Sequence, residues 1–222
     1  MELYYVIMVT DRAKAEDAHA VLHQLNLPLI LTNLGYGTAT SEHLSLYNLE
    51  ASQKALMSTI ADRETLDKII HLAKKEMYID IPGNGILMAI PMKSIGGGKL
   101  LSLVTDGKNM TGGKPKMEFQ HELIIVVLNE GYSDNVMDAA RKAGAAGGTV
   151  LHAKGTGKGR AEKFLGVSLA DEKDVIYIVS SSNKKSDIMK AITNECGTGT
   201  KIGAICFSLP ISEVAGLRQF ED

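Results

Sequence analysis

The segment GAAGGTVLHAKGTGKGRAEKF, Gly144 to Phe164, sets glycines among lysines and an arginine around a short apolar run. Such a composition suits a loop that cradles an anion: glycine lets backbone amides approach closely, and nearby Lys and Arg supply charge. Two phosphate motifs fail on spacing. A Walker A loop needs GxxxxGK followed by Ser or Thr, and the first glycine position before Gly157 and Lys158 is His152. A Rossmann GxGxxG needs a third glycine where Arg160 stands, and a helix opening directly after the turn. What remains is a strand exit at Gly155, Thr156 and Gly157, with Lys158 and Arg160 as cations. A second glycine loop, ECGTGTKIGA, Glu195 to Ala204, adds Thr198, Gly199 and Lys201.

The other reactive residues read more plainly. His19 and His23 stand at i and i+4, the spacing of a two-histidine metal site, but no third ligand is apparent nearby and they are read as solvent-facing. His152 ends a strand and is read as structural. Ser180 to Ser182 lack a base and an orienting third group, so they mark a helix start with a serine or Asn183 as N-cap. Cys196 and Cys206 have no CxxC spacing and are expected to be free thiols. With no paired carboxylates beside the glycine loops, no Cys/His dyad and no metal cluster, catalysis and a metal cofactor are not expected.

The elements that position these residues follow from an internal repeat. Shifted by 120, Tyr4 to Val9 falls on Ile124 to Asn129, and Leu29 to Gly37 falls on Thr149 to Gly157; shifted by 119, Gly85 to Gly97 falls on Ala204 to Gly216. Each copy opens with an apolar β-rich run, Tyr4 to Val9 or Leu123 to Leu128. A helix follows, with Ala18, Val21, Leu22 and Leu25 on one face of the first copy, and Val136, Ala139, Ala140 and Ala143 in the second after Ser133 as N-cap. A second strand (Leu29 to Leu34; Thr149 to Ala153), a glycine-bounded loop and a third strand (Ala55 to Ala61; Asp174 to Ser180) come next. A second helix (Glu64 to Glu76; Lys184 to Glu195), another glycine loop and a fourth strand (Ile86 to Pro91; Ile205 to Pro210) complete the copy. The order βαββαβ, twice, predicts an α+β protein of two tandem ferredoxin-like sandwiches. The expected boundaries are 1–98, a linker 99–120 in which LLSLV could add a strand, and 121–222.

Composition agrees with a folded chain: 222 residues, 45% hydrophobic, are enough to bury a core in each copy. The formal net charge of −2 gives no basic field for nucleic acid. No apolar run reaches membrane-spanning length and the start lacks a signal-peptide pattern, so a cytoplasmic location is expected. The ten methionines are read as core filling.

The residues AGAAGGTVLHAKGTG, then EKDVIYIV, then GTGTKIGAICFSLPISEVAGL closely resemble the PII-like signal-transduction proteins, in particular shortened Gram-positive relatives. The resemblance covers the second copy and reaches the first through the repeat. It implies a trimer of sandwiches with adenine nucleotide in the clefts, and a long loop after the second strand that touches a regulated partner. Carried over by position, it assigns ligand binding to Gly155, Thr156, Gly157, Lys158, Arg160, Thr198, Gly199, Lys201 and Arg218. Departures are plain: the family's Gly-Asp-Gly-Lys falls on Ile202, Gly203, Ala204 and Ile205, one of its two distal arginines is Gly216, and the long loop, Lys158 to Lys173, is short and has no tyrosine. In the first copy Gly35 and Gly37 are followed by no cation before Lys54. The expected function is therefore a non-catalytic sensor of a small anionic ligand such as ATP, ADP or AMP. It would relay to a protein partner, in nitrogen regulation, with membrane contact only through a membrane-protein partner. Its expected assembly is a homotrimer, three chains making two rings. The alternative is a CutA-like trimer of the same architecture, metal-related or structural.

Overall fold

A computed structural model of the chain describes residues 2–27, 29–38, 53–81, 83–92, 119–155, 163–164, 167–168 and 171–217. Two compact units form, and neither is a continuous stretch of chain. Unit 1 takes Met1–Leu34, Gln53–His121 and Pro210–Asp222; unit 2 takes Gly35–Ser52 and Glu122–Leu209.

In unit 1, β1 (Leu3–Asp11) leads through a single helical turn, Arg12–Lys14, into α1 (Ala15–His23). Then come β2 (Leu31–Gly37), β3 (Gln53–Asp62), α2 (Arg63–Met77) and β4 (Ile86–Pro91). The strand order is β2-β3-β1-β4, the split βαβ order, and β1 runs antiparallel to both β3 and β4. The inward positions of β1, namely Tyr4, Val6 and Met8, meet Ala18, Val21 and Leu22 of α1 and Leu66, Ile69 and Ala73 of α2 in one buried cluster. The helical stripe expected from the sequence is thus buried against alternate residues of β1. Asp62 caps α2 by accepting from the Thr65 amide at 2.9 Å.

Unit 2 repeats the plan with β5 (His121–Asn129), α3 (Ser133–Lys142), β6 (Thr149–Gly155), β9 (Asp171–Ser181), α4 (Lys185–Cys196) and β10 (Ile205–Ile211). Between β6 and β9, two-residue strands β7 (Lys163–Phe164) and β8 (Val167–Ser168) pair antiparallel. The order β10-β5-β9-β6 matches unit 1. Its core joins Ile124, Val126 and Leu128 to Val136, Ala139 and Ala140 of α3 and Ile188 and Ile192 of α4.

Three local expectations are corrected. Strand β2 does not stop at Leu34 but continues through Gly35, Tyr36 and Gly37, which pair antiparallel with Leu151, Val150 and Thr149. Gly35 is suited to that place because a Cβ there would lie 2.3 Å from the Val150 carbonyl oxygen. The helix starts also differ: Tyr132, not Ser133, is the N-cap of α3, and Lys184, without a side-chain cap bond, is that of α4, while the Ser181 hydroxyl bonds Asn183. Finally, beyond β10 a further strand, β11 (Glu213–Ala215), pairs with Leu87 to Ala89 of β4 in unit 1. The LLSLV segment lies outside the described residues.

Candidate functional site in unit 2

Gly155, at the exit of β6, and the turn after α4 lie at the same end of unit 2. Gly155 is the last residue of β6, opposite Asp171; two positions earlier Ala153 faces Lys173. The Lys173 ammonium donates to the Asn129 side-chain oxygen at the end of β5. The Asn129 amide nitrogen in turn donates to the Lys201 carbonyl at 2.9 Å, and its backbone N–H to the Ile202 carbonyl at 3.0 Å. Asn129 therefore ties the exit of β6, through β9 and β5, to the turn that follows α4.

That turn is internally braced. Thr200 donates from its amide and its hydroxyl to the Gly197 carbonyl, both at 2.9 Å, and Ala204 donates to Cys196. Thr198, Gly199 and Lys201 are exposed on it. The Lys201 ammonium sits 5.2 Å from the centroid of the Tyr132 ring, a cation–π contact at the start of α3. Of the nine residues assigned from sequence, the structure thus brings Gly155, Thr198, Gly199 and Lys201 to one end of the unit. Thr156, Gly157, Lys158, Arg160 and Arg218 lie outside the described residues.

A buried carboxylate, absent from that set, organises the same end. Asp174 is 0% exposed. Its Oδ2 accepts from the Ser133 hydroxyl at 2.7 Å and the Gly131 amide at 3.1 Å, and its Oδ1 lies 2.8 Å from His152 Nδ1. Asp174 thereby braces the turn that enters α3 from a neighbouring strand, near the positive end of the helix dipole. His152 shows its other edge to solvent, with Tyr36 tilted against it at 5.5 Å between centroids. Burial raises the Tyr36 pKa, with the nearby carboxylates Asp174, Asp134 and Glu130 adding to the shift. One signal for Asp174 does exist in the sequence: it shares strand parity with Ile176 and Ile178, so a charge occupies an inward position.

The remaining candidates are chemically quiet. Ser180 is buried with an unbonded hydroxyl and the Ser181 hydroxyl goes to Asn183. Cys196 and Cys206 are free thiols, and burial pushes the Cys196 thiol above the ordinary range, away from reactivity. Among the described residues no group of three His, Cys, Asp or Glu side chains could hold a metal ion, and no helix is long and apolar enough to cross a membrane.

The family model for nitrogen regulatory protein P-II matches residues 121–221, a span that includes both glycine loops and the Asp174 cluster. This region is a P-II domain. Solved structures similar to the chain include PII of Arabidopsis thaliana bound to citrate, at 19% identity and TM-score 0.34 over 43% of this chain and 78% of that one. The B. subtilis GlnK–ATP complex is similar at 16% identity and TM-score 0.31, over 41% and 82%. A functionally unknown protein from Pediococcus pentosaceus matches at 12% and 0.30, over 46% and 100%. No curated protein matches the chain. The match falls on the second copy of the repeat.

Proposed function

We propose that the chain is a non-catalytic PII-type sensor in which unit 2 binds a small anionic ligand, an adenine nucleotide being the leading class, and relays its occupancy to a protein partner in nitrogen regulation. The observation that carries this reading is the P-II match across both glycine loops of unit 2, together with the hydrogen-bonded path from Gly155 to Lys201 through Asn129. The ligand contacts are Gly155, Thr156, Gly157, Lys158 and Arg160 on one loop, Thr198, Gly199 and Lys201 on the other, and Arg218. Lys201 leaves the Tyr132 ring to meet the anion, exchanging a cation–π contact for a charge-assisted hydrogen bond of about 1.5 to 3 kcal/mol.

The repeats 1–98 and 121–222, joined by 99–120, are taken as the two sandwich domains, the chain as cytoplasmic, and the assembly as three chains. Calorimetry with ATP, ADP and AMP tests the binding. Lys158→Ala and Lys201→Ala should each weaken affinity by roughly 10-fold or more; unchanged affinity in both would place the anion elsewhere. Light scattering that returns the mass of one or two chains would overturn the trimer.

A further inference from the structure

We propose that His19 and His23, on the exposed face of α1, bind a divalent transition-metal ion between their imidazoles. One turn of helix separates the two residues, so their side chains lie one above the other. Their rings stack with centroids 5.9 Å apart and planes inclined by 29°. Metal–nitrogen bonds of about 2.0 to 2.1 Å place an ion roughly 3.2 Å from each ring centroid, so two imidazoles sharing one ion can stand up to about 6.4 Å apart. The observed separation falls within that reach; because stacked rings carry their nitrogen lone pairs side by side in their own planes, both exposed side chains turn from the stack to point one nitrogen each at the ion.

The surroundings leave the rings available. Neither imidazole has a hydrogen-bond or ion-pair partner among the described residues; their recorded contact is with each other. They border an open groove of about 540 Å³ lined by Glu16, His19, Ala20, His23 and Gln24. The Gln24 amide is engaged by Glu76 of α2 at 2.9 Å, which anchors that wall. Since no third His, Cys, Asp or Glu completes the set among the described residues, the ion keeps water in its remaining positions. Imidazole ligands select copper, nickel and zinc over magnesium or calcium, and a site of loose geometry follows the intrinsic order, with copper and nickel above manganese. The site belongs to unit 1 and shares no residue with the ligand contacts proposed for unit 2.

The test uses the full chain and the metal ion alone. Titration with Ni²⁺ and with Zn²⁺, followed by calorimetry and by the ring-nitrogen resonances of His19 and His23, should show one site per chain at which both resonances shift together. His19→Ala and His23→Ala should each lower affinity at least about 10-fold, because a chelate becomes a single ligand. His71→Ala on α2 should leave it unchanged. A variant that combines His23→Gln with Gln24→His keeps the composition but moves one imidazole off the shared face, and it should lose binding as His23→Ala does. Alanine is the best helix former, so these exposed changes preserve α1, which circular dichroism verifies. Retained affinity in both alanine variants, retained affinity in the transposed variant, or resonances of other histidines shifting instead would overturn the proposal.

Discussion

The two sandwiches share a plan but differ where the first helix begins. In unit 2, Asp174 reaches from β9 to brace the turn into α3 and hold His152. The repeat places Ala55, Thr32 and Ala13 at the positions of Asp174, His152 and Ser133. Ala55 is also fully buried, so the same inward site holds a methyl group in one unit and a carboxylate in the other. Without the carboxylate, the chain of unit 1 enters α1 through the turn Arg12–Lys14 and an Asp11 that makes no side-chain cap. The turns after the second helix diverge likewise. In unit 1, Tyr78 takes a left-handed conformation and Ile79 enters the core; in unit 2 the turn is Thr-, Gly- and Lys-rich, with Thr198, Gly199, Thr200 and Lys201 exposed. Each turn sends one isoleucine, Ile79 or Ile202, into its core, and only that of unit 2 carries a Thr-, Gly- and Lys-rich surface beside a buried, hydrogen-bonded carboxylate.

The sharpest way to break this comparison is to transplant the anion. Ala55→Asp would bury a carboxylate in unit 1 without the serine and histidine that surround Asp174, and should cost about 3 kcal/mol or more in chemical denaturation. A tolerated Ala55→Asp would mean that the two corners are not the different environments described. The converse change, Asp174→Ala, leaves the Ser133 hydroxyl and the Gly131 amide without their acceptor and should cost about 2 kcal/mol. Hydrogen exchange should locate its loss at the start of α3, and loss spread evenly over unit 2 would refute that bracing role. Next comes Gly35→Ala: a Cβ 2.3 Å from the Val150 carbonyl must push β2 from β6, at about 1 to 3 kcal/mol. If stability were unchanged, that ladder would contribute little.

Ligand stoichiometry sharpens the contrast in function. Unit 1 has no cation between Gly37 and Lys54, so calorimetry with a nucleotide should return one site per chain, and two equal sites would show that the first copy is not degenerate. The smallest expected effect concerns pH. Burial lowers the His121 pKa, so its neutral form is favoured in the folded chain. Its contribution to stability is complete above the unfolded value of about 6.5 and is lost as pH falls through the lower folded value. His121→Gln should flatten the stability profile below that pH; an identical slope in the variant would assign the dependence to other groups.

Much of the fold was legible because its signals are local. The stripes Ala18, Val21, Leu22 and Val136, Ala139, Ala140 are buried as their spacing predicts, and Ile86–Pro91 is a strand with the expected bounds. The candidate site was half legible. Glycine and lysine in Thr198 to Lys201 announce a loop, whereas Asp174 passes for the polar start of an apolar strand, since its meaning depends on Ser133 and His152, 41 and 22 residues away. The strand character of Gly35, Tyr36 and Gly37 was missed for a related reason: glycine disfavours strand locally, and only a partner edge stabilises it there.

From the sequence alone came the duplication, the βαββαβ order of each copy, and the asymmetry by which cations accompany the glycine loops of the second copy. These are properties of residue type and spacing, and the chain carries them before it folds. Tertiary structure alone decided which piece of chain completes which unit, with Gly35–Ser52 counted in unit 2 and Pro210–Asp222 in unit 1. It also decided that a buried aspartate holds the start of α3. Two copies with the same strand pattern offer interchangeable edges, and choosing between them depends on long-range backbone pairing and on whether each buried polar group finds its partner, quantities that no local window of residues contains.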